Sequence, residues 1–69
     1  MRIRDLIKLI EHDGWVLSRT RGSHRQYRHP SKGGYVTIHF HTGQTIRPRT
    51  IESIIEQAGL TVEQFTALL

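Results

Sequence analysis

The chain has 69 residues, 36% of them hydrophobic and 23% charged, with a net charge of +4 at pH 7. This length predicts one domain over residues 1–69, with a small core that a bound partner would help to stabilise. The lack of cysteine removes disulfide frameworks and thiolate metal sites, and the lack of a long apolar run or signal-like start points to a soluble cytoplasmic protein without membrane association.

Ile3, Leu6, Ile7 and Ile10 fall at i, i+3, i+4 and i+7, the stripe of an amphipathic helix. Gly14 can end this helix in a left-handed cap that folds Trp15 back onto the last turn. From Trp15 the periodicity changes. Residues Trp15–Arg21, His24–His29 and Tyr35–His41 read as three strands. Gly22-Ser23 marks the first turn and Pro30-Ser31-Lys32-Gly33-Gly34 the second. The third strand alternates most clearly, with Val36, Ile38 and Phe40 on one face and Thr37, His39 and His41 on the other.

Residues 42–49 read as a loop. Thr50 is the expected N-cap of a second helix, with Glu52 in its first turn and Ile51, Ile54, Ile55 and Ala58 as its apolar stripe. Gly59 stops it. Thr61 caps a short third helix, Gln64 completes a capping box, and Leu60 with Phe65 can form a hydrophobic staple. The order α-β-β-β-α-α predicts an α+β two-layer sandwich, a three-stranded antiparallel sheet with helices on one face. The other face is then free to meet water or a ligand.

Charge is distributed unevenly. No acidic residue lies between Asp13 and Glu52, yet Arg19, Arg21, Arg25, Arg28, Lys32, Arg47 and Arg49 all do. A basic centre between acidic ends is the footprint of a phosphate-binding surface. Scattered solubilising charge would mix the two signs.

Tyr27 is the only sizeable apolar side chain of the second strand, so it is expected to face the helices with Trp15. Alternation then sends His24, Gln26 and Arg28 to the open face, where they meet Thr37, His39 and His41. A pairing of residues 29 and 35 puts His24 opposite position 40. A slip of one residue pairs it directly with His39 or His41, and the sequence does not choose between them. An imidazole among guanidinium groups can take a proton from a ribose 2′-OH and protonate a leaving 5′-oxygen, while arginine holds the phosphate. The same position also suits an ordinary turn-adjacent surface histidine. His39 and His41, two apart on a strand without a third ligand, make a poor metal site, and neither a metal nor a cofactor is expected. His12 and His29 carry no signal beyond their helix-end and turn positions.

Several of these residues, in order, resemble one family over nearly the whole chain. The opening helix followed by Gly14-Trp15, then Gly22-Ser23-His24 with a basic residue and Tyr27, resembles the HicA (YcfA-like) mRNA interferase toxins. Val36-Thr37-Ile38, Phe40-His41 and Gly43 resemble the family's third strand and following loop. Thr50-Ile51, Ser53-Ile54 and Gln57-Ala58-Gly59 resemble its second helix. The resemblance implies a fold like the double-stranded RNA-binding domain, metal-independent cleavage of mRNA, and His24 as the catalytic histidine. It also implies a HicB-like antitoxin as partner in a hetero-oligomeric toxin–antitoxin complex. With the basic centre, it makes Arg21, Ser23, Arg25, Arg28, Lys32 and His41 the candidate RNA-binding residues. One position departs from the pattern: His39 stands where the family commonly has proline, which leaves its part in the site open. A non-catalytic double-stranded-RNA-binding module, which shares the architecture and binds by shape and backbone contacts, is the alternative.

Overall fold

A computed structural model describes residues 1–69. Six elements follow the expected order: α1 (Ile3–His12), β1 (Val16–Arg21), β2 (His24–Arg28), β3 (Val36–His39), α2 (Pro48–Gln57) and α3 (Val62–Ala67). The strands form one antiparallel sheet in the order β1-β2-β3. This is the α+β architecture of the double-stranded-RNA-binding-domain type. Tyr27, Val36 and Ile38 of the sheet share a single core of 14 buried residues with Ile3, Leu6 and Ile10 of α1, Ile54 and Ile55 of α2, and Phe65 of α3.

α1 ends as its sequence predicts. The Gly14 N–H donates to the Glu11 carbonyl (2.9 Å) and the Trp15 N–H to the Ile10 carbonyl (3.1 Å), the bond pair of a Schellman motif. Gly14 has φ +107°, and Trp15 turns back into the core at 1% exposure.

What holds this corner is His29, a residue without a signal in the sequence. Its ring stands edge-on to Trp15, with centroids 5.2 Å apart. Its Nδ1 accepts from the backbone N–H groups of Ser31 (3.1 Å) and Lys32 (3.2 Å). Nε2 therefore carries the proton and donates to the Asp13 carbonyl oxygen. One side chain thus fixes both the conformation of the second turn and its place against the end of α1.

The first hairpin is tight. Arg21 pairs with His24 across Gly22-Ser23. Only Gly22 of the two has positive φ (+58°), the pattern of a type II′ turn with glycine at its first central position. β1 carries a bulge at Ser18: beyond it the register moves so that Leu17 lies opposite Tyr27 and Val16 opposite Arg28. An unbroken ladder would have turned Leu17 to the open face. All six residues of β1 stay exposed, with Val16 at 63% and Leu17 at 44%.

Four expected elements change at their ends. β1 starts at Val16 and β2 stops at Arg28, because Trp15 and His29 are engaged with each other. β3 is shorter than Tyr35–His41, although the Phe40 N–H still donates to the Ser23 carbonyl (2.6 Å). α2 starts at Pro48, with Arg47 at the N-cap and no side-chain cap bond, rather than with Thr50 as the cap. Proline lacks the N–H that the first helical position leaves unpaired, and its fixed φ already suits the helix. Glu52 consequently falls outside the first turn. The capping box of α3 forms as read: the Thr61 N–H donates to Gln64 Oε1 (2.9 Å) and the Gln64 N–H to Thr61 Oγ1 (3.1 Å).

Gly14 is under two constraints at once. A Cβ there would lie 2.7 Å from His29 Nε2, in addition to the cost of positive φ. Gly14→Ala is expected to cost at least about 1–3 kcal/mol in urea unfolding. Gly33→Ala, with no atom within 4 Å of its added Cβ and no positive φ, is expected to be close to neutral or slightly stabilising.

Candidate nucleic-acid interface

Cross-strand pairing arranges the open face in rows. In the first, Arg21, His24 and His39 lie side by side, because His24 pairs with Arg21 on one side and His39 on the other. In the second, Arg19, Gln26 and Thr37 do the same. Paired residues on neighbouring strands point the same way, so both rows face away from the helices. A shallow depression of about 230 Å³ lies over them, lined by Arg19, Arg21, His24, Gln26 and Thr37, with no hydrophobic residue.

The register resolves the choice left by the sequence. The β2–β3 pairing runs one residue short of the 29–35 assumption, and His24 meets His39 directly. Their rings stack with centroids 4.6 Å apart and planes 8° from parallel. His41 also packs against His39, at 4.6 Å but tilted by 60°. All three are exposed. The type II′ turn positions this cluster, since the Ser23 carbonyl binds the Phe40 N–H between His39 and His41.

The other side chains singled out in the sequence do not all gather here. Ser23 is half-buried in the turn beside His24. Arg28 lies at the far end of β2, its guanidinium 5.9 Å from the Tyr35 ring. Arg25 is on the opposite face of the sheet, 3.7 Å above the Phe40 ring and next to Ile7, Leu17 and Tyr27. Lys32 is turned inward: its Nζ donates to Asp13 Oδ2 (2.6 Å) and to the Ala58 carbonyl (2.9 Å). The structure therefore places neither Arg25 nor Lys32 with His24. The sequence reading grouped them by charge along the chain, whereas alternation separates Arg25 from its neighbours and a helix end claims Lys32.

Arg19 joins the face although it was not among the candidate contacts. Its signal was available: it lies two residues from Arg21 on the same strand and so shares its face. Tyr27 is kept off the open face by its place in the core, at 1% exposure. Burial pushes its hydroxyl above the usual value of 10.0, with Arg25 only partly offsetting this. Such a phenol stays neutral and acts as core. No group of three or more histidine, acidic or cysteine side chains could hold a metal ion.

A three-stranded sheet with helices on one face and a basic, imidazole-bearing surface on the other defines a small protein of the double-stranded-RNA-binding-domain-like class. Within that class, residues 3–60 match the family model described as the HicA toxin of bacterial toxin–antitoxin systems. The chain belongs to the HicA toxin family. No curated protein matches it. The match covers α1 through the end of α2, including every residue of the two rows. No helix is long and apolar enough to cross a membrane.

The inward position of Lys32 is open to test. Lys32→Ala removes two hydrogen bonds from a charged donor. It is expected to cost about 1–3 kcal/mol, which lowers the melting temperature by several degrees in a domain of this size. Arg19→Ala, on the exposed face, should shift stability by no more than about 0.5 kcal/mol in the same thermal melts.

Proposed function

We propose that this protein is a metal-independent endoribonuclease, the toxin of a type II toxin–antitoxin pair, that binds and cleaves mRNA on the open face of its sheet. His24 is the catalytic residue. The observation that carries this reading is the position of His24 in the centre of an exposed row, with Arg21 on one side and His39 on the other. An imidazole at that point can take the 2′-OH proton of a bound ribose. The neighbouring guanidinium groups can hold the scissile phosphate and stabilise the charge that develops on it. A single strand suits this face, because its backbone can be bent to bring the 2′-oxygen in line with phosphorus. Membership of the family brings an antitoxin with it, and a HicB-like protein is the expected partner in a hetero-oligomeric complex.

His24→Ala is expected to lower single-turnover cleavage of single-stranded RNA by roughly 10²–10⁴-fold, the usual size of general acid–base catalysis. Folding should be unaffected, because His24 is exposed on its strand. Wild-type cleavage should proceed in excess EDTA and leave a 2′,3′-cyclic phosphate and a 5′-hydroxyl. A protein that binds duplex RNA but cleaves no strand would instead be the binding module.

The redistribution of the basic residues sets the salt dependence. With Arg19, Arg21 and Arg28 on the binding face, about three phosphates are neutralised. The slope of log affinity against log salt for single strands is then near −2, a loss of roughly twentyfold between 50 and 200 mM salt. Arg25→Ala and Lys32→Met should leave that slope unchanged, whereas Arg21→Ala should flatten it. Fluorescence titrations at four salt concentrations measure it.

A further inference from the structure

His39 is the side chain of the open face for which neither fold nor family accounts. It contributes nothing to the core, being exposed on the last residue of β3. Its ring packs against both other imidazoles of the face. Its ring lies 4.6 Å from His24 and nearly parallel to it, and 4.6 Å from His41.

We propose that His39 is the second proton-transfer residue of the cleavage site, the general acid that serves the leaving group while His24 acts as base. This rests on the ribonuclease reading above and assigns the half of the reaction that one imidazole leaves open. Cleavage by 2′-oxygen attack moves two protons at two oxygens on opposite sides of phosphorus. The 2′-OH gives its proton to the neutral nitrogen of His24, and its electron pair forms the new O–P bond. The P–O5′ bond breaks with its electron pair going to the 5′-oxygen, which takes a proton from the His39 imidazolium. The products are a 2′,3′-cyclic phosphate and a 5′-hydroxyl, with one proton passed from His39 to His24 overall. Paired groups about 3.5–4 Å apart reach both the attacking and the leaving oxygen of an in-line displacement in two-metal sites. Two parallel rings at 4.6 Å present their edges at a comparable spacing. Arg21, on the far side of His24 in the same row, is left to hold a non-bridging phosphate oxygen. His41 packs against His39 with its ring tilted by 60°, and is left without a proton to transfer in this scheme.

The test separates stacking from proton donation. His39→Phe keeps a flat ring against His24 and favours the strand, but it has no proton to give. On ordinary single-stranded RNA it should cleave about 10²–10⁴-fold more slowly than wild type. On RNA with a single 5′-bridging sulfur at the scissile bond, whose thiolate leaves without protonation, His39→Phe should cleave within a few-fold of wild type. His24→Ala should remain slow on both substrates, since the base is still needed. Melting curves and RNA binding of each variant establish that it is folded and loaded, and His39→Gln repeats the measurement should the phenylalanine variant melt early. If His39→Phe cleaves ordinary RNA at the wild-type rate, His39 only stacks. If it is equally slow on both substrates, it positions His24 and gives no proton. Either result overturns the proposal while leaving the ribonuclease standing. If wild-type protein cleaves neither substrate, the ribonuclease reading itself has failed and this proposal falls with it.

Discussion

The hydrogen bonds of one neutral imidazole hold the corner on which the rest of the fold turns. His29 donates from Nε2 to the end of α1 and accepts at Nδ1 from two amides of the following turn. Beside it, Lys32 reaches from that same turn to the Asp13 carboxylate and to the carbonyl of Ala58, the C-cap of α2. A cation at a helix C-terminus meets the negative end of the helix dipole. Three elements distant in sequence, the ends of α1 and α2 and the β2–β3 turn, are thereby tied within a few ångströms. Gly14 is what lets the chain come that close, since any side chain there would collide with the His29 ring.

The register of β2 against β3 follows from the core, since buried Tyr27 must lie opposite buried Val36, and the register determines the face. In that register His39 rather than Phe40 lies opposite His24. Phe40 is left on the helix side, packed against the core beneath Arg25. The outer edge of β3 is closed in turn by α2, where Gln57 Oε1 accepts the Thr37 N–H at 3.1 Å.

Much of this was legible beforehand, and the reasons are local. Periodicity in α1, glycine at Gly14 and Gly22, and the Thr61–Gln64 spacing each describe contacts within a few residues, where pattern and structure are nearly the same thing. Alternation correctly sent Tyr27 inward and His24 outward for the same reason. The failures concern longer range. A threonine before an apolar stripe reads as a cap and puts the start of α2 at Thr50, but Pro48 two residues earlier satisfies the helix start by itself. Ile46 was assigned to a loop, yet it is buried, held there by the bond from its N–H to the Met1 carbonyl. Lys32 reads as an RNA contact and His29 as a turn residue without a signal, because their partners, Asp13 and Ala58, lie 16 or more residues away. The face itself was legible as a composition, but its rows were not, since a bulge and a one-residue register choice decide who stands beside whom.

His24, Gln26, Thr37 and His39 stand on β2 and β3, the strands that carry Tyr27, Val36 and Ile38 of the core. Loops open and close with small free energies, whereas core strands open only with the domain. In a chain of 69 residues with a 14-residue core, the working surface has no independent existence. It forms when the domain forms and disappears in the same transition. Such a surface is governed by how long the molecule survives in the cell. Any protease or holdase that captures the unfolded chain removes the surface outright, and any ligand that prefers the native state prolongs its lifetime, whichever side of the sheet that ligand occupies.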